Sequence, residues 1–235
     1  MSVEGLSSEQ AVFLAVLADK SGRTNEMKEA VKFLACQSRD LSDDERSIFT
    51  IGYRKIISAK RQAWRNLIAS GPTFTADRVI HFRNKIESEI NTLCSECISV
   101  INKFILPRLN SAEGKVYFYK MKGDIFRYIC EVSSGQSRVI AVEESEDCYK
   151  LASDIALNDL SPTQPTRLGL ALSFAVFYYE ILNSPERACL IAKAAFDDAL
   201  LIIDTLEEKQ YEAAAAILAL LRENLTVWTS DLKPT

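Results

Sequence analysis

The chain has 235 residues, 48% of them hydrophobic, and a formal net charge of -4. This length fits one large domain or two small ones, and the apolar content is ample for a sizeable core. The slightly negative charge excludes a general electrostatic attraction for DNA or RNA, so any anion site must be local. With only 8 glycines and 6 prolines, the composition favours long helices over a turn-rich β protein.

Nothing near the amino terminus resembles a signal peptide, because residues 1–5 lack the basic and then apolar pattern of one. The longest apolar runs, such as residues 11–18, are too short to span a bilayer. The six cysteines are scattered, mostly among apolar helix positions, which is typical of reduced thiols. We therefore expect a soluble protein of the cytosol or the nucleus, with no membrane partner.

Helix signals follow one another along the chain with short gaps. Ser7 and Gln10 form a capping-box pattern before the first helix, Ser42 and Glu45 form another before the third, and Asn110 is the expected cap of the fifth. The predicted helices are nine and antiparallel: 8–21 up to the break at Gly22, 25–38, 43–70, 75–107, 111–134, 137–160, 166–182, 185–204 and 207–229. The seventh is apolar nearly all round, which predicts a central position. The fold class is therefore all-α.

Residues 53–65 of the third predicted helix carry a basic stripe. Arg54, Arg61 and Arg65 fall on one helix face, and no acid interrupts these thirteen residues. Guanidinium groups bind phosphate in a bidentate manner. The stripe is either a solvated basic face or a face neutralised by an anion or by carboxylates from elsewhere.

A second charged cluster lies in the fifth helix, where Lys120, Asp124, Arg127 and Tyr128 share one face within two turns. Asp124 is four residues from Lys120 and three from Arg127, so it can hold either cation in place. A fixed arginine beside a tyrosine hydroxyl suits an oxyanion, and the alternative is an ordinary surface charge lattice.

Helices seven and nine each carry an apolar stripe with one polar residue inserted. On helix seven the stripe is Leu172, Val176 and Glu180, and on helix nine it is Ile217, Leu220, Asn224 and Val227 or Trp228. Core packing explains the aliphatic residues. It explains Asn224 less well, because a buried amide needs hydrogen-bond partners.

Signals for catalysis are nearly absent. His81 is the only histidine, Cys94 and Cys97 form an isolated CxxC in mid-helix, and no glycine-rich phosphate loop occurs. We therefore expect no enzyme, no metal site and no cofactor.

Four separate stretches resemble the 14-3-3 family. They are RLGLALSFAVFYYEILNSPERAC at 167–189, KMKGDIFRY at 120–128, LLRENLTVWTSD at 220–231 and the basic stripe at 53–65. The resemblance covers about residues 6–231 and implies a single 14-3-3-like domain over 1–235, in a cup-shaped dimer. Residues 1–105 would form the dimer contact and groove floor, and residues 106–235 the groove walls.

The resemblance also implies a phosphate pocket in each subunit, since this family reads phosphorylated motifs with arginine clusters. The pocket residues would be Arg54, Arg61, Arg127 and Tyr128. Arg54 is a departure, because the family has lysine there, and a planar fork replaces a point charge.

The implied peptide groove has residues that bind the peptide backbone and an apolar wall. The backbone-binding residues are Lys120, Ser173, Glu180, Asn224 and Trp228. The wall residues are Leu172, Val176, Ile217, Leu220 and Val227. Ser173 departs from the family's asparagine, and a lost buried hydrogen bond costs about 1–3 kcal/mol.

The implied dimer interface combines apolar contacts with ion pairs between subunits. The apolar residues are Leu17, Leu67 and Phe82, and the pairs are Arg23 with Glu89 and Glu26 with Lys85. Exposed pairs contribute little by themselves, so the apolar area would provide most of the stabilisation.

Together these features predict an adaptor that binds phosphoserine or phosphothreonine peptides of client proteins as a dimer. The dimer would be a homodimer or a heterodimer with a family relative, and nucleic acid would not be a partner. The alternative is a helical scaffold or heterodimer partner in which phosphopeptide binding is weakened or lost, given the changes at Arg54 and Ser173.

Overall fold

The computed structural model describes residues 5–37, 41–69 and 77–232. Within those ranges there are nine α-helices and no β-strand, which confirms the all-α prediction. The helices are α1 (Ser8–Lys20), α2 (Thr24–Ala35), α3 (Asp43–Ala69), α4 (Asp77–Val100), α5 (Ala112–Val132), α6 (Gly135–Asp159), α7 (Pro165–Glu180), α8 (Pro185–Leu200) and α9 (Glu208–Asp231).

Both predicted capping boxes are present. The Ser7 hydroxyl accepts from the Gln10 backbone N–H at 3.2 Å, and the Gln10 side chain accepts from the Ser7 N–H at 2.9 Å. Ser42 and Glu45 repeat this reciprocal pattern at 3.3 and 2.9 Å. Each pair satisfies two backbone donors that the first turn of a helix leaves without partners.

The predicted cap of α5 was wrong by one residue. The N-cap is Ser111, whose hydroxyl accepts from the Gly114 N–H at 3.1 Å, and not Asn110. Serine and asparagine are about equally good N-caps, so two adjacent candidates could not be ranked from the sequence.

We expected the fourth helix to continue to Pro107, but its α-helical part ends at Val100. After Val100 the backbone widens into a π-helical segment, Ile101–Ile105, and then tightens into a 3-10 turn, Leu106–Arg108. Pro107 lacks an N–H and its ring crowds the preceding turn, so a regular α-helix cannot continue through it. The π-helical segment keeps Ile101 and Ile105 buried. The predicted limits near residues 38, 70 and 75 lie outside the described residues.

The chain divides into two compact units, residues 1–109 and 110–235. In the first unit α1 packs against α2 and α3, and α3 packs against α2 and α4. Gly22 ends the α1 region with φ +69, a left-handed conformation that glycine adopts without strain. Phe49, Tyr53 and Leu34 are among the largest side chains fully buried in this unit.

In the second unit α7 contacts α5, α6, α8 and α9, which confirms its predicted central position. Its core contains an aromatic cluster: Tyr149 stacks on Phe174 with ring centroids 5.3 Å apart, and Phe177 and Tyr178 pack beside them. No helix in the described part of the chain combines the length and apolarity that crossing a membrane requires.

Candidate functional site

The basic stripe of the first unit lies on α3. Arg54 and Arg65 are exposed and Arg61 is half-buried, whereas Ile56 and Ile57 are buried. Among the described residues, Arg54 has neither a hydrogen bond nor an ion pair with another side chain. A guanidinium in that state retains all its donors for a ligand.

Two acidic residues on α4 contact side chains of α3 and thereby fix the rotation of α3 about its own axis. The Trp64 indole N–H donates to the Glu87 carboxylate at 2.9 Å, and the Lys60 ammonium lies 2.6 Å from a Glu89 oxygen. On the same helix, Ile56 and Ile57 are buried in the core of the unit. The direction of the basic stripe is therefore fixed by packing and by hydrogen bonds within the unit.

In the second unit, Asp124 is the centre of a charged cluster on α5. Its Oδ2 lies 2.8 Å from the Lys120 ammonium, and its Oδ1 lies 3.7 Å from Nη2 of Arg127. The expectation that Asp124 holds a neighbouring cation is confirmed for both. Burial alone would raise the pKa of Asp124, but Lys120 and Arg127 lower it below its ordinary value, so the carboxylate is ionised.

Tyr149 of α6 completes this cluster. Its hydroxyl donates to Asp124 Oδ1 at 2.8 Å, the same oxygen that faces Arg127. Burial raises the pKa of Tyr149 well above its ordinary value, so the phenol keeps its proton as a donor. Tyr149 was not predicted from the sequence to belong to this cluster.

The Tyr149 ring can approach because residue 123 is glycine. A β-carbon there would meet three ring atoms at 2.7–2.9 Å. An isolated glycine inside a helix is unfavourable relative to alanine and often has a packing reason of this kind. Gly123 is therefore the signal that could have pointed to a partner on another helix.

Arg127 is the most enclosed cation of the cluster, with 14% of its side chain exposed. Its Nη1 donates to Glu180 Oε2, on the last residue of α7, at 3.1 Å, and its guanidinium carbon lies 5.1 Å from the centre of the Tyr128 ring. Burial would lower the pKa of Arg127, but the oxygens of Tyr149 and Asp124 raise it above its ordinary value. The charge is therefore permanent and the side chain is held from two sides.

The predicted apolar wall lies on α7 and α9, which pack against each other. Leu172, Val176 and Ile217 are half-buried against the core of the unit. Leu220 and Val227 are 47% and 55% exposed. The stripe is thus an apolar surface that reaches solvent, and only part of it is covered by the unit itself.

The predicted backbone-binding residues differ in how free their polar groups are. Asn224 is half-buried and donates to the Leu220 carbonyl at 2.9 Å. Ser173 is also half-buried, and its hydroxyl has no hydrogen-bond partner among the described residues. Trp228 is 2% exposed and stacks on Tyr179 at 5.3 Å between ring centroids. Asn224 thus has the hydrogen-bond partner that an amide on an apolar stripe needs.

The predicted dimer residues lie in the first unit. Leu17 and Phe82 are 52% and 55% exposed, and Leu67 is half-buried. Arg23 forms an ion pair with Glu26 within the chain, and Glu89 pairs with Lys60. The two acids assigned to pairs between subunits therefore already have partners in the same chain.

The isolated CxxC of α4 has the surroundings of a structural thiol pair. Cys94 and Cys97 are buried and unbonded, and burial raises the pKa of Cys94 to about 12. Both thiols are protonated at neutral pH, because burial raises the pKa of Cys97 as well. His81 is exposed, and the described residues contain no group of three or more histidine, cysteine or acidic side chains placed to hold a metal ion.

Comparisons with known proteins agree with this arrangement of helices and motifs. The family model described as "14-3-3 protein" matches residues 14–229. The chain is 45% identical to 14-3-3 protein epsilon of Drosophila melanogaster, over 96% of this chain and 88% of that protein. It is 44% identical to the checkpoint signal transducer rad24 of Schizosaccharomyces pombe, over 96% and 86% of the two chains. It is 46% identical to 14-3-3-like protein GF14 epsilon of Arabidopsis thaliana, over 95% and 91%. The family model spans most of the chain, and the relatives match it over nearly their whole length. The chain therefore belongs to the 14-3-3 family.

Proposed function

We propose that this protein is an adaptor that binds phosphoserine or phosphothreonine peptides of client proteins and works as a dimer. Arg54, Arg61, Arg127 and Tyr128 would bind the phosphate. A peptide phosphate carries close to two negative charges and three acceptor oxygens, which suits several guanidinium groups and a phenol. The observation that carries the proposal is Arg127, a permanently charged side chain held on α5 beside the Tyr128 ring.

The peptide itself would lie along the apolar wall of α7 and α9. Leu220 and Val227 offer exposed aliphatic surface that tolerates many side chains, while Asn224 and Lys120 supply polar contacts to the peptide backbone. Ser173, Glu180 and Trp228 are the remaining predicted contacts. Such a groove would read phosphorylation and an extended backbone more than a particular sequence.

Dimerisation would increase the strength of binding to clients with two phosphorylated sites. The second site binds at the effective concentration set by the first, so avidity exceeds either affinity without any new contact. Exposed Leu17 and Phe82 on the first unit support an apolar interface. A relative named as a checkpoint signal transducer supports a role in signalling, and the cytoplasm is the expected place of action.

The second candidate is a scaffold or heterodimer partner that has lost phosphopeptide binding. Ser173 favours this candidate. A serine hydroxyl is shorter than a carboxamide, so it cannot reach as far to donate to and accept from a peptide backbone at once. This candidate predicts dimers with a family relative but no dependence of client binding on phosphate.

Fluorescence anisotropy with one labelled peptide in phosphoserine and serine forms tests the proposal. We expect clearly tighter binding of the phosphorylated form, and we expect Arg127→Ala to remove the difference. Arg222→Ala is the matched control, because Arg222 is exposed and lies on the side of α9 opposite Leu220. Equal affinities of the wild-type protein for the two peptides would refute the proposal and favour the scaffold.

A further inference from the structure

Tyr149 lies on α6, a helix that contributes no residue to the predicted phosphate pocket or groove. Its hydroxyl nevertheless contacts Asp124, the carboxylate beside Arg127. We propose that Tyr149 is a positioning residue for phosphate binding, which acts through Asp124 to hold the Arg127 guanidinium in place. This inference rests on the proposed function of Arg127.

The two oxygens of Asp124 have different partners. Oδ2 lies 2.8 Å from the Lys120 ammonium, whereas Oδ1 accepts from the Tyr149 hydroxyl at 2.8 Å. Oδ1 is also the oxygen nearest to Arg127, at 3.7 Å from Nη2. Partners on both oxygens prevent the carboxylate from rotating about its bond to the β-carbon. The Tyr149 hydroxyl therefore sets which oxygen faces Arg127.

The Tyr149 hydroxyl is itself held in place by its surroundings. The side chain is completely buried, with the ring stacked on Phe174 and pressed against Gly123. One turn before Tyr149, the Ser145 hydroxyl donates to the Gly123 carbonyl at 2.9 Å and ties α6 to α5. A donor held this rigidly fixes its acceptor, because the hydrogen bond weakens steeply with distance and angle.

Arg127 depends on this support. Its Nε is buried without a hydrogen-bond partner among the described residues, and its other close carboxylate, Glu180, has a side chain that is 50% exposed. An exposed ion pair holds a side chain weakly. The buried contacts with Asp124 and with the Tyr149 hydroxyl are therefore the ones that can keep the guanidinium in a single position before a phosphate arrives. Preorganisation of this kind raises affinity, because less ordering remains to be done on binding.

Tyr149→Phe tests the inference, since it removes the hydroxyl and keeps the packed ring. We expect the affinity for a phosphoserine peptide to fall about three- to tenfold. The affinity for the unphosphorylated peptide should not change. A matched control exists in Tyr178→Phe, because the Tyr178 hydroxyl also donates to a carboxylate, Glu146, at 2.9 Å in the same unit without a contact to Arg127. That variant should bind the phosphopeptide within about twofold of wild type.

A second readout separates positioning from a general loss of structure. In Tyr149→Phe the NMR resonance of the Arg127 Nε–H should shift or broaden, whereas Tyr178→Phe should leave it unchanged. If Tyr149→Phe does not fold, Asp124→Asn keeps the ring in place and removes the charge that attracts Arg127, and the same fall in phosphopeptide affinity is expected.

Unchanged phosphopeptide affinity in Tyr149→Phe, or an equal fall in both tyrosine variants, would overturn the inference. A wild-type protein that fails to distinguish the two peptides would instead refute the proposed function. The two failures are therefore distinguishable in the same titration.

Discussion

The ring of Tyr149 occupies the space that a β-carbon on residue 123 would need. Three ring atoms lie 2.7–2.9 Å from that point, closer than side-chain carbons approach one another in folded proteins. Because the ring is fully buried and packed on its other side by Phe174, it cannot retreat. Because residue 123 is glycine, α5 and α6 can pack closely enough to bring the Tyr149 phenol to Asp124.

Gly123→Ala should destabilise the protein for this reason. Forcing an extra carbon into a packed core costs about 1–3 kcal/mol. Gly169→Ala on α7 is the control, because its added carbon would meet the Lys120 side chain only at 3.9 Å, and alanine favours helix by about 1 kcal/mol. Urea unfolding should show a lower midpoint for the first variant and an equal or higher one for the second. Equal midpoints would show that the contact with Tyr149 relaxes easily.

Asp124→Asn should make the stability against unfolding depend less on pH in the acid range. The pKa of Asp124 is lower in the folded protein than the value of about 3.9 for a free carboxyl group. The ionised Asp124 therefore contributes fully to the free energy of unfolding above the pKa of the free carboxyl group. This contribution is lost as the pH falls through the pKa of Asp124 in the folded protein. Urea midpoints measured between pH 7 and pH 2 should fall less steeply for the variant in the acid range, from a lower starting point at pH 7. A profile parallel to that of wild type would contradict the role given to Asp124.

Glu180→Gln distinguishes two roles for that residue. Glu180 accepts from Arg127 at 3.1 Å, so it competes with a phosphate for the same N–H group. Removing an exposed competitor of this kind should tighten phosphopeptide binding about two- to fivefold. Glu143→Gln is the charge-matched control, on an exposed site of α6. Weaker binding in Glu180→Gln would instead support the contact with the peptide backbone that the family resemblance implies.

Ser173→Asn should strengthen binding of the phosphopeptide, because a carboxamide can donate to and accept from the peptide backbone at once. A gain of about tenfold in affinity is expected, equivalent to one buried hydrogen bond. Asn224→Ser is the reverse change on α9 and should weaken binding by a similar factor. Titration of both variants with the same peptide checks the pair. If neither changes the affinity, the amides do not bind the peptide.

Leu17→Glu should disrupt the dimer, because it places a charge on an apolar residue that is 52% exposed on α1. Sedimentation velocity should show a shift toward monomer at low micromolar concentration. Leu201→Glu is the control, since Leu201 is 83% exposed in the second unit, outside the predicted interface. A Leu17→Glu protein that sediments as the wild type would place the interface elsewhere.

The sequence predicted best those features that depend on neighbours along one helix. The capping boxes at Ser7 and Ser42 and the pairing of Asp124 with Lys120 follow from spacings of three or four residues. The central position of α7 follows from its apolar character nearly all round. The cap of α5 was misplaced because Asn110 and Ser111 are equivalent by the same local rule. The π-helical segment before Pro107 was missed because the apolar pattern continues through it.

Contacts between distant parts of the chain could not be predicted in the same way. Tyr149 reaches Asp124 across 25 residues and Glu180 reaches Arg127 across 53, and no periodicity links the members of either pair. Each depends on how helices pack, which the apolar stripes of the sequence leave undetermined in detail. The family resemblance implied the phosphate-binding roles proposed for Arg127 and Tyr128, but it did not point to the phenol on α6.

The two tryptophans of the chain fall one in each compact unit. Trp64 is half-buried, with its indole N–H on Glu87, whereas Trp228 is almost completely buried against Tyr179. Each unit therefore contains its own intrinsic fluorophore in a distinct environment. Replacing either tryptophan by phenylalanine gives a protein whose emission reports on one half of the chain, so that the unfolding of the two halves can be followed separately and their cooperativity measured directly.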